Sequence, residues 1–211
     1  MEHKNSLSLK KNKSVELRGK KMSNGFACSI VIPVYKGVET LPALLERLAI
    51  ELPRTCYKYE VILVNDGSPD NSWEAISTFS KKYPWIRGIK LMRNYGQQNA
   101  TLCGVRNARY PITVTMDDDL QHPPEEMYKL LGKFAEGFDV VYGAPQQLPN
   151  DFFRNMITRL TKKLLSYVMG VPSMKHISAF CAFRTELRNA FANFQSPDFT
   201  LDVLLSWGTS K

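Results

Sequence analysis

The chain has 211 residues, 44% of them hydrophobic and 23% charged, with a formal net charge of +8. That balance suits one globular domain with a buried core and excludes a disordered or fibrous chain. No apolar run approaches the ~20 residues of a membrane-spanning helix, no secretory leader pattern opens the sequence, and the four cysteines form neither a C-x-x-C pair nor a zinc spacing, so a soluble protein of the reducing cytosol is expected.

Residues 1–24 carry seven basic and two acidic side chains among Ser and Asn, with almost no apolar periodicity, and read as a flexible basic arm. Such an arm can touch anionic lipid or nucleic acid, or simply solubilise the chain, and the plain tail is favoured. The remainder is only mildly basic and holds no nucleic-acid reader motif, so no nucleic-acid partner is expected.

From residue 25 to 211, short β-rich runs alternate with helical patterns. CSIVIPV (28–34), YEVILVN (59–65), IRGIKLM (86–92), ITVTMD (112–117) and DVVYG (139–143) are the predicted strands. Between them TLPALLERLAIEL, NSWEAISTFSKKY, GQQNATLCGVRNAR and PPEEMYKLLGKFAEG space their apolar residues three or four apart. The alternation predicts right-handed βαβ units and an α/β fold: a Rossmann-like, open, mainly parallel sheet with helices on both faces. Ligands of such sheets bind beyond the carboxyl ends of the strands. There the sequence places Pro33-Val34-Tyr35-Lys36, Asn65-Asp66-Gly67-Ser68, Arg93-Asn94-Tyr95-Gly96-Gln97 and Asp117-Asp118-Asp119.

Neither G-x-G-x-x-G nor G-x-x-x-x-G-K-[ST] occurs, so phosphates of a ligand need another counter-charge. Asp117 and Asp119, two apart at a strand end, suit a shared Mg²⁺ or Mn²⁺, and Gln121 adds a neutral oxygen. The competing reading is helix capping. It accounts for Asp119 followed by Pro123 to Glu126, but one cap does not need three consecutive aspartates. Asp66 has a similar double reading, as turn chemistry or as acceptor for a nucleobase N–H. Tyr35 either stacks on a base or closes the core. His122 reads as a turn residue.

The stretches IVIPVYKGVETLPALLERL, EVILVNDGSPDNSW, LMRNYGQQNATLCGVRNA and TVTMDDDLQHPPE resemble the inverting family 2 glycosyltransferases of GT-A fold. Within that family they resemble the polyprenyl-phosphate branch, over roughly residues 28 to 207. The resemblance implies that Pro33, Tyr35, Val64 and Asp66 line a nucleotide pocket, with Glu39 a further candidate. It implies that Asp117 and Asp118 follow the ribose and diphosphate, that Asp119 and Gln121 hold the metal, and that Asn94, Gly96 and Gln97 border a UDP- or GDP-linked sugar donor.

Departures from the pattern are specific. Many relatives read P-x-Y-N-E where this chain has Pro33-Val34-Tyr35-Lys36-Gly37, so the acidic contact at position 37 is missing. Many carry an arginine in a G-x-R segment after the fifth strand, and Gly143-Ala144-Pro145-Gln146 has none. Phosphate binding then falls to Arg154, Arg159, Lys162 or Lys163. Relatives also continue past the position of Lys211 with a basic closing loop, often followed by membrane helices, so the chain is expected to stop short of both. An inactive nucleotide-sugar-binding fragment is therefore an alternative to an enzyme.

An acceptor hydroxyl needs a base, for which Asp198 or Asp202 is available. A phosphate monoester, with a second pKa of about 6, does not. DFFRNMITRLTKKLLSYVMG sets Phe152, Phe153, Met156, Ile157, Leu160, Leu164 and Val168 at helical spacing beside its basic residues. It suits either a membrane surface with an anionic lipid head group or an ordinary helix on the sheet. The candidate catalytic residues are thus Asp119, Arg159 and Asp202, with polyprenyl phosphate as acceptor at the cytoplasmic face of a membrane, and transfer to a glycan hydroxyl as the alternative. The segment AFCAFRTEL resembles the family's edge segment, and Arg184 in it reads as structural.

Overall fold

The computed structural model describes residues 25–134, 136–143 and 178–209. In chain order these form β1 (Phe26–Val34), α1 (Leu41–Thr55), β2 (Cys56–Asn65), α2 (Ser72–Lys82), β3 (Ile86–Lys90), α3 (Gln97–Arg106) and β4 (Ile112–Thr115). A 3₁₀ turn (Pro124–Glu126) leads into α4 (Met127–Phe134), followed by β5 (Val140–Tyr142), β6 (Cys181–Arg184), a second 3₁₀ segment (Thr185–Phe191) and α5 (Leu201–Ser206). All five predicted strands are present. The order is β3-β2-β1-β4-β6-β5, with β3, β2, β1 and β4 parallel and β6 antiparallel to both of its neighbours.

The two-residue alternation of the strands divides the interior into two apolar layers. Cys28, Ile30, Ile32 and Val34 of β1 face one layer with Leu41, Leu44, Leu45, Leu48 and Leu52 of α1, Ile76 of α2 and Leu131 of α4. Val31, Ile62 and Val64 face the other with Ala100, Leu102 and Val105 of α3 and Leu201, Leu204 and Leu205 of α5. Strand residues covered on both faces read as continuous apolar runs, as IVIPV and VILV do. The apolar positions of α1 fall at i, i+3, i+4, i+7 and i+11, one stripe of a helix. Pro42 is accommodated in its first turn, where no intrahelical donor is needed.

One placement departs from the sequence reading. The 181–184 segment, expected at an edge, lies inside the sheet between β4 and β5, and β5 forms the edge. Its side chains explain this: Ala182 enters the first apolar layer, while Cys181 and Phe183 enter the second. A strand that supplies both layers needs cover on both faces. Arg184, read as structural, donates from Nε to Asp139 Oδ1 at 2.6 Å and ties β6 to the start of β5.

At the opposite end from the carboxyl edge, Glu60 is 4% exposed. It accepts from Ser29 Oγ at 2.8 Å, from the Arg109 backbone N–H at 2.8 Å and from Arg87 Nη1 at 2.7 Å. A carboxylate buried with this many donors is satisfied, and it locks β1, β2, β3 and the turn before β4 together.

Candidate active site

The loops after β1, β2, β3 and β4 meet at the carboxyl edge of the sheet around a cavity of about 340 Å³. Parallel strands that all run toward this edge bring their polar ends together, although those ends are far apart in sequence.

Asp66 organises the floor. It is 2% exposed, its backbone N–H donates to Val34 O at 2.9 Å, and its Oδ1 accepts from the Tyr95 backbone N–H at 2.8 Å. Three loops are thereby joined by one residue. Gly67 follows with φ +62°, and a Cβ there would stand 2.3 Å from the Arg93 carbonyl carbon and 2.5 Å from Asn94 N. Only glycine permits that approach of two backbones. On the rim, Tyr35 is 45% exposed and Lys36 Nζ lies 5.5 Å from its ring centroid. Lys36 holds φ +58°, and its N–H donates to Ser68 Oγ at 3.2 Å. A lysine in the left-handed region is a strained choice that turns the chain sharply behind Tyr35.

The three aspartates follow β4, whose pairing continues through a bond from Met116 N to Val31 O. Asp117 Oδ1 accepts from Gln97 Nε2 at 2.5 Å. Burial, then the neighbouring Asp119, raises the Asp117 carboxyl above its ordinary range. Burial pushes Asp118 up to about 6, with Asp119, Asp117 and Asp70 adding to the shift, and its Oδ2 is buried without a hydrogen-bond partner. Asp119 Oδ1 accepts from the Gln121 N–H at 3.0 Å, and Leu120 between them holds φ +62°.

Hard oxygen donors crowded until their acidity falls are the chemistry a divalent cation relieves. Among the described residues no three His, Cys, Asp or Glu side chains converge as a metal cage.

Of the residues singled out from sequence, Pro33, Tyr35, Asp66, Asn94, Gln97, Asp117, Asp118 and Asp119 line the cavity. Val64 is fully buried in the second apolar layer, and Glu39 and Gln121 are exposed and outside the lining. Arg154, Arg159, Lys162 and Lys163 lie outside the described residues. Asp119 is not the helix cap, since Pro123 occupies that position; His122 stacks on Phe180 with centroids 5.3 Å apart.

Asp202 faces a second, smaller cavity of about 50 Å³ that shares Pro33, Gln97 and Asp117 with the first. Burial raises its carboxyl above the ordinary range, with the Tyr142 hydroxyl as a hydrogen-bonding neighbour pulling the other way. Asp198 is exposed. Tyr142 was not singled out from sequence. Its position at the carboxyl end of the fifth strand is the signal that identifies it. Val34, which the sequence places at this edge without a role, also lines the larger cavity.

The sequence matches the profile of glycosyl transferase family 2 over residues 29–192. It is 38% identical over 177 residues to an undecaprenyl-phosphate 4-deoxy-4-formamido-L-arabinose transferase of Enterobacter sp. (strain 638), a match covering 83% of this chain and 54% of that protein. The chain thus spans about half the length of the curated relatives it matches. Among solved structures it resembles glucosyl-3-phosphoglycerate synthase of Mycobacterium tuberculosis in complex with UDP, with TM-score 0.58, 19% identity, and 83% of this chain and 62% of that one covered. It also resembles the mannosyltransferase PcManGT of Pyrobaculum calidifontis in complex with GDP-Man and Mn²⁺, with TM-score 0.56, 16% identity, and 86% and 53% covered. The chain belongs to glycosyl transferase family 2 and has the GT-A fold of that family.

Proposed function

We propose that this chain binds a nucleotide-sugar donor and, with Mg²⁺ or Mn²⁺, transfers the sugar with inversion to a polyprenyl phosphate at the cytoplasmic face of a membrane. The observation that carries the reading is the convergence of Tyr35, Asp66 and the Asp117–Asp119 run on one cavity. The similarity to undecaprenyl-phosphate sugar transferases supports the acceptor class.

In this reading Tyr35 packs on the base and Asp66, held rigid by its bonds to the Tyr95 and Val34 backbones, accepts from a base N–H. Asp117 and Asp118 follow the ribose and diphosphate. Asp117, Asp119 and Gln121 would hold the divalent cation, which would supply Lewis-acid neutralisation of the departing diphosphate. An oxygen of the acceptor phosphate forms a bond to the anomeric carbon while the bond to the leaving diphosphate breaks, in line and with inversion. That oxygen is already ionised near neutrality, so positioning outweighs base catalysis. Arg154 and Arg159 are the candidates to place the two phosphates, in a basic amphipathic stretch suited to a lipid surface. No helix among the described residues is long and apolar enough to cross a membrane.

A second reading is favoured by Asp202, whose carboxylate faces the cavity adjoining Asp117. An acceptor hydroxyl, as on a glycan, would use it as base.

Calorimetric titration of the chain with UDP and with GDP, each with and without Mn²⁺, tests the proposal. Binding of one nucleotide that strengthens at least tenfold with Mn²⁺ supports it and names the base. Absence of binding by folded chain to both nucleotides would remove it.

A further inference from the structure

We propose that the ion pair between Arg47 and Glu125 is a positioning clamp for the aspartate loop: neither residue lines the donor cleft, yet together they set how well Asp117 and Asp119 receive the divalent cation. The inference rests on the donor reading given above.

The pair lies outside the lining of both cavities and joins residues 78 positions apart. Arg47 Nε donates to Glu125 Oε1 at 2.9 Å and Nη2 donates to Oε2, a two-pronged contact that fixes direction as well as distance. Arg47 follows Leu44 by one turn of α1, at the border of the leucine stripe that faces the core. Glu125 sits in the 3₁₀ turn that ends the aspartate loop, between buried Pro124 and α4, whose Met127 enters the same apolar layer.

The loop itself has few fixings. Among the described residues, 117–122 make no backbone-to-backbone hydrogen bond. The last such bond before them runs from Met116 N to Val31 O at 3.2 Å, and the next after them from Glu126 N to Pro123 O at 2.9 Å. Leu120, between these, holds φ +62°, a conformation that a leucine keeps only where its surroundings impose it. Pro123 and Pro124 have restricted φ, so an anchor at Glu125 is passed back toward Gln121 instead of being absorbed by rotation of the chain. Both ends of the loop are thereby tied to consecutive elements, β1 through Val31 and α1 through Arg47. The connection between those elements carries Tyr35 and the Gly37 that Asp118 Oδ2 packs against.

Magnitude separates this role from plain stabilisation. The two side chains are 34% and 30% exposed, and an ion pair so open to water contributes little to global stability. A metal site is less forgiving, because Mg²⁺ demands near-ideal octahedral geometry and ligands displaced by about 0.5 Å already weaken it. Loss of the clamp therefore costs metal binding more than it costs the fold. The alternative role for Glu125, an acid favoured at the start of a helix, predicts the opposite pattern and makes no use of Arg47.

The test measures UDP and GDP affinity, with and without Mn²⁺, for the wild type, Arg47→Met, Glu125→Gln and the double variant, with a thermal melt of each. Arg47→Met keeps the aliphatic bulk and Glu125→Gln keeps the shape, and Glu125→Gln stands in if the arginine variant does not fold. In each single variant the melt should change little and metal-free affinity should stay within about twofold, while the enhancement by Mn²⁺ falls by about tenfold. The double variant should lose no more than either single one, because both remove the same contact. Undiminished Mn²⁺ enhancement in folded single variants would overturn the inference and leave the donor reading standing. Equal weakening with and without Mn²⁺ would mark the pair as structural and overturn it too, as would losses that add in the double variant. Failure of the wild type to bind either nucleotide, or to bind one more tightly with Mn²⁺, would remove the functional reading itself, and this inference with it.

Discussion

Gly37 and Asp118 occupy the same space: a Cβ built on Gly37 would stand 2.1 Å from Asp118 Oδ2 and 2.9 Å from Val34 Cγ1. Gly37 is buried, donates its N–H to Ser72 Oγ at 3.0 Å, and its carbonyl accepts the first N–H groups of α1. The position where relatives carry an acidic residue is here filled from the facing loop by the carboxylate of Asp118. Gly37→Ala should therefore displace Asp118 and weaken Mn²⁺-dependent nucleotide binding. In an Asp118→Ala background the same change should cost much less, a coupling of about 1 kcal/mol or more. Additive effects in the double-mutant cycle would disprove the spatial exchange.

The aspartate run sets a pH dependence. Asp118 has its carboxyl raised from 3.8 to about 6 in the folded chain, so between those values the folded state binds more protons than the unfolded one. Stability from this group is then greatest below about 3.8 and falls as pH rises toward 6, the reverse of an ion-paired aspartate. Melting temperatures without metal should fall for wild type relative to Asp118→Asn across that window, and excess Mn²⁺ should narrow the gap near neutrality. Parallel curves for the two proteins would contradict the assignment.

Asp119→Asn keeps the shape and the acceptor for the Gln121 N–H while removing a full charge. Nucleotide affinity in Mn²⁺ should fall by roughly tenfold or more, and affinity without metal should change little. Undiminished enhancement by Mn²⁺ would exclude Asp119 as a ligand.

Gly67→Ala meets backbone atoms of Arg93 and Asn94, which cannot rotate away as a side-chain end can. We expect a loss of about 2 kcal/mol or more in urea unfolding, together with weaker nucleotide binding, because the shifted loop carries the Tyr95 N–H that holds Asp66. A neutral variant would show that the loops approach less closely.

Arg188 provides a control far from the cleft. Its Nη1 donates to the carbonyls of Val105 and Arg106 at 3.2 Å and of Ala108 at 2.7 Å, satisfying the acceptors at the end of α3. Arg188→Ala should destabilise the fold by about 1–3 kcal/mol with nucleotide affinity unchanged in folded protein. A nucleotide-selective loss would show that the far end of α3 transmits a change to the cleft that its first residue, Gln97, lines.

What the sequence determined by itself is whatever local periodicity and strand ends encode. The two-residue alternation of β1 and the single leucine stripe of α1 depend on residues within a few positions of each other. The parallel sheet follows from strands alternating with helices, and its carboxyl edge names Asp66 and the Asp117–Asp119 run. What only the tertiary structure decided are relationships between residues distant in the chain. The place of β6 inside the sheet depends on two apolar layers that its own four residues cannot define. Asp118 lies against Gly37, and Asp202 beside Tyr142, because separate elements pack close enough to leave a carboxylate partly stripped of water. Glu39 and Val64, one exposed and one in the core, show the limit from the other side: adjacency to a motif does not decide which way a side chain faces. Packing against the rest of the chain makes that choice.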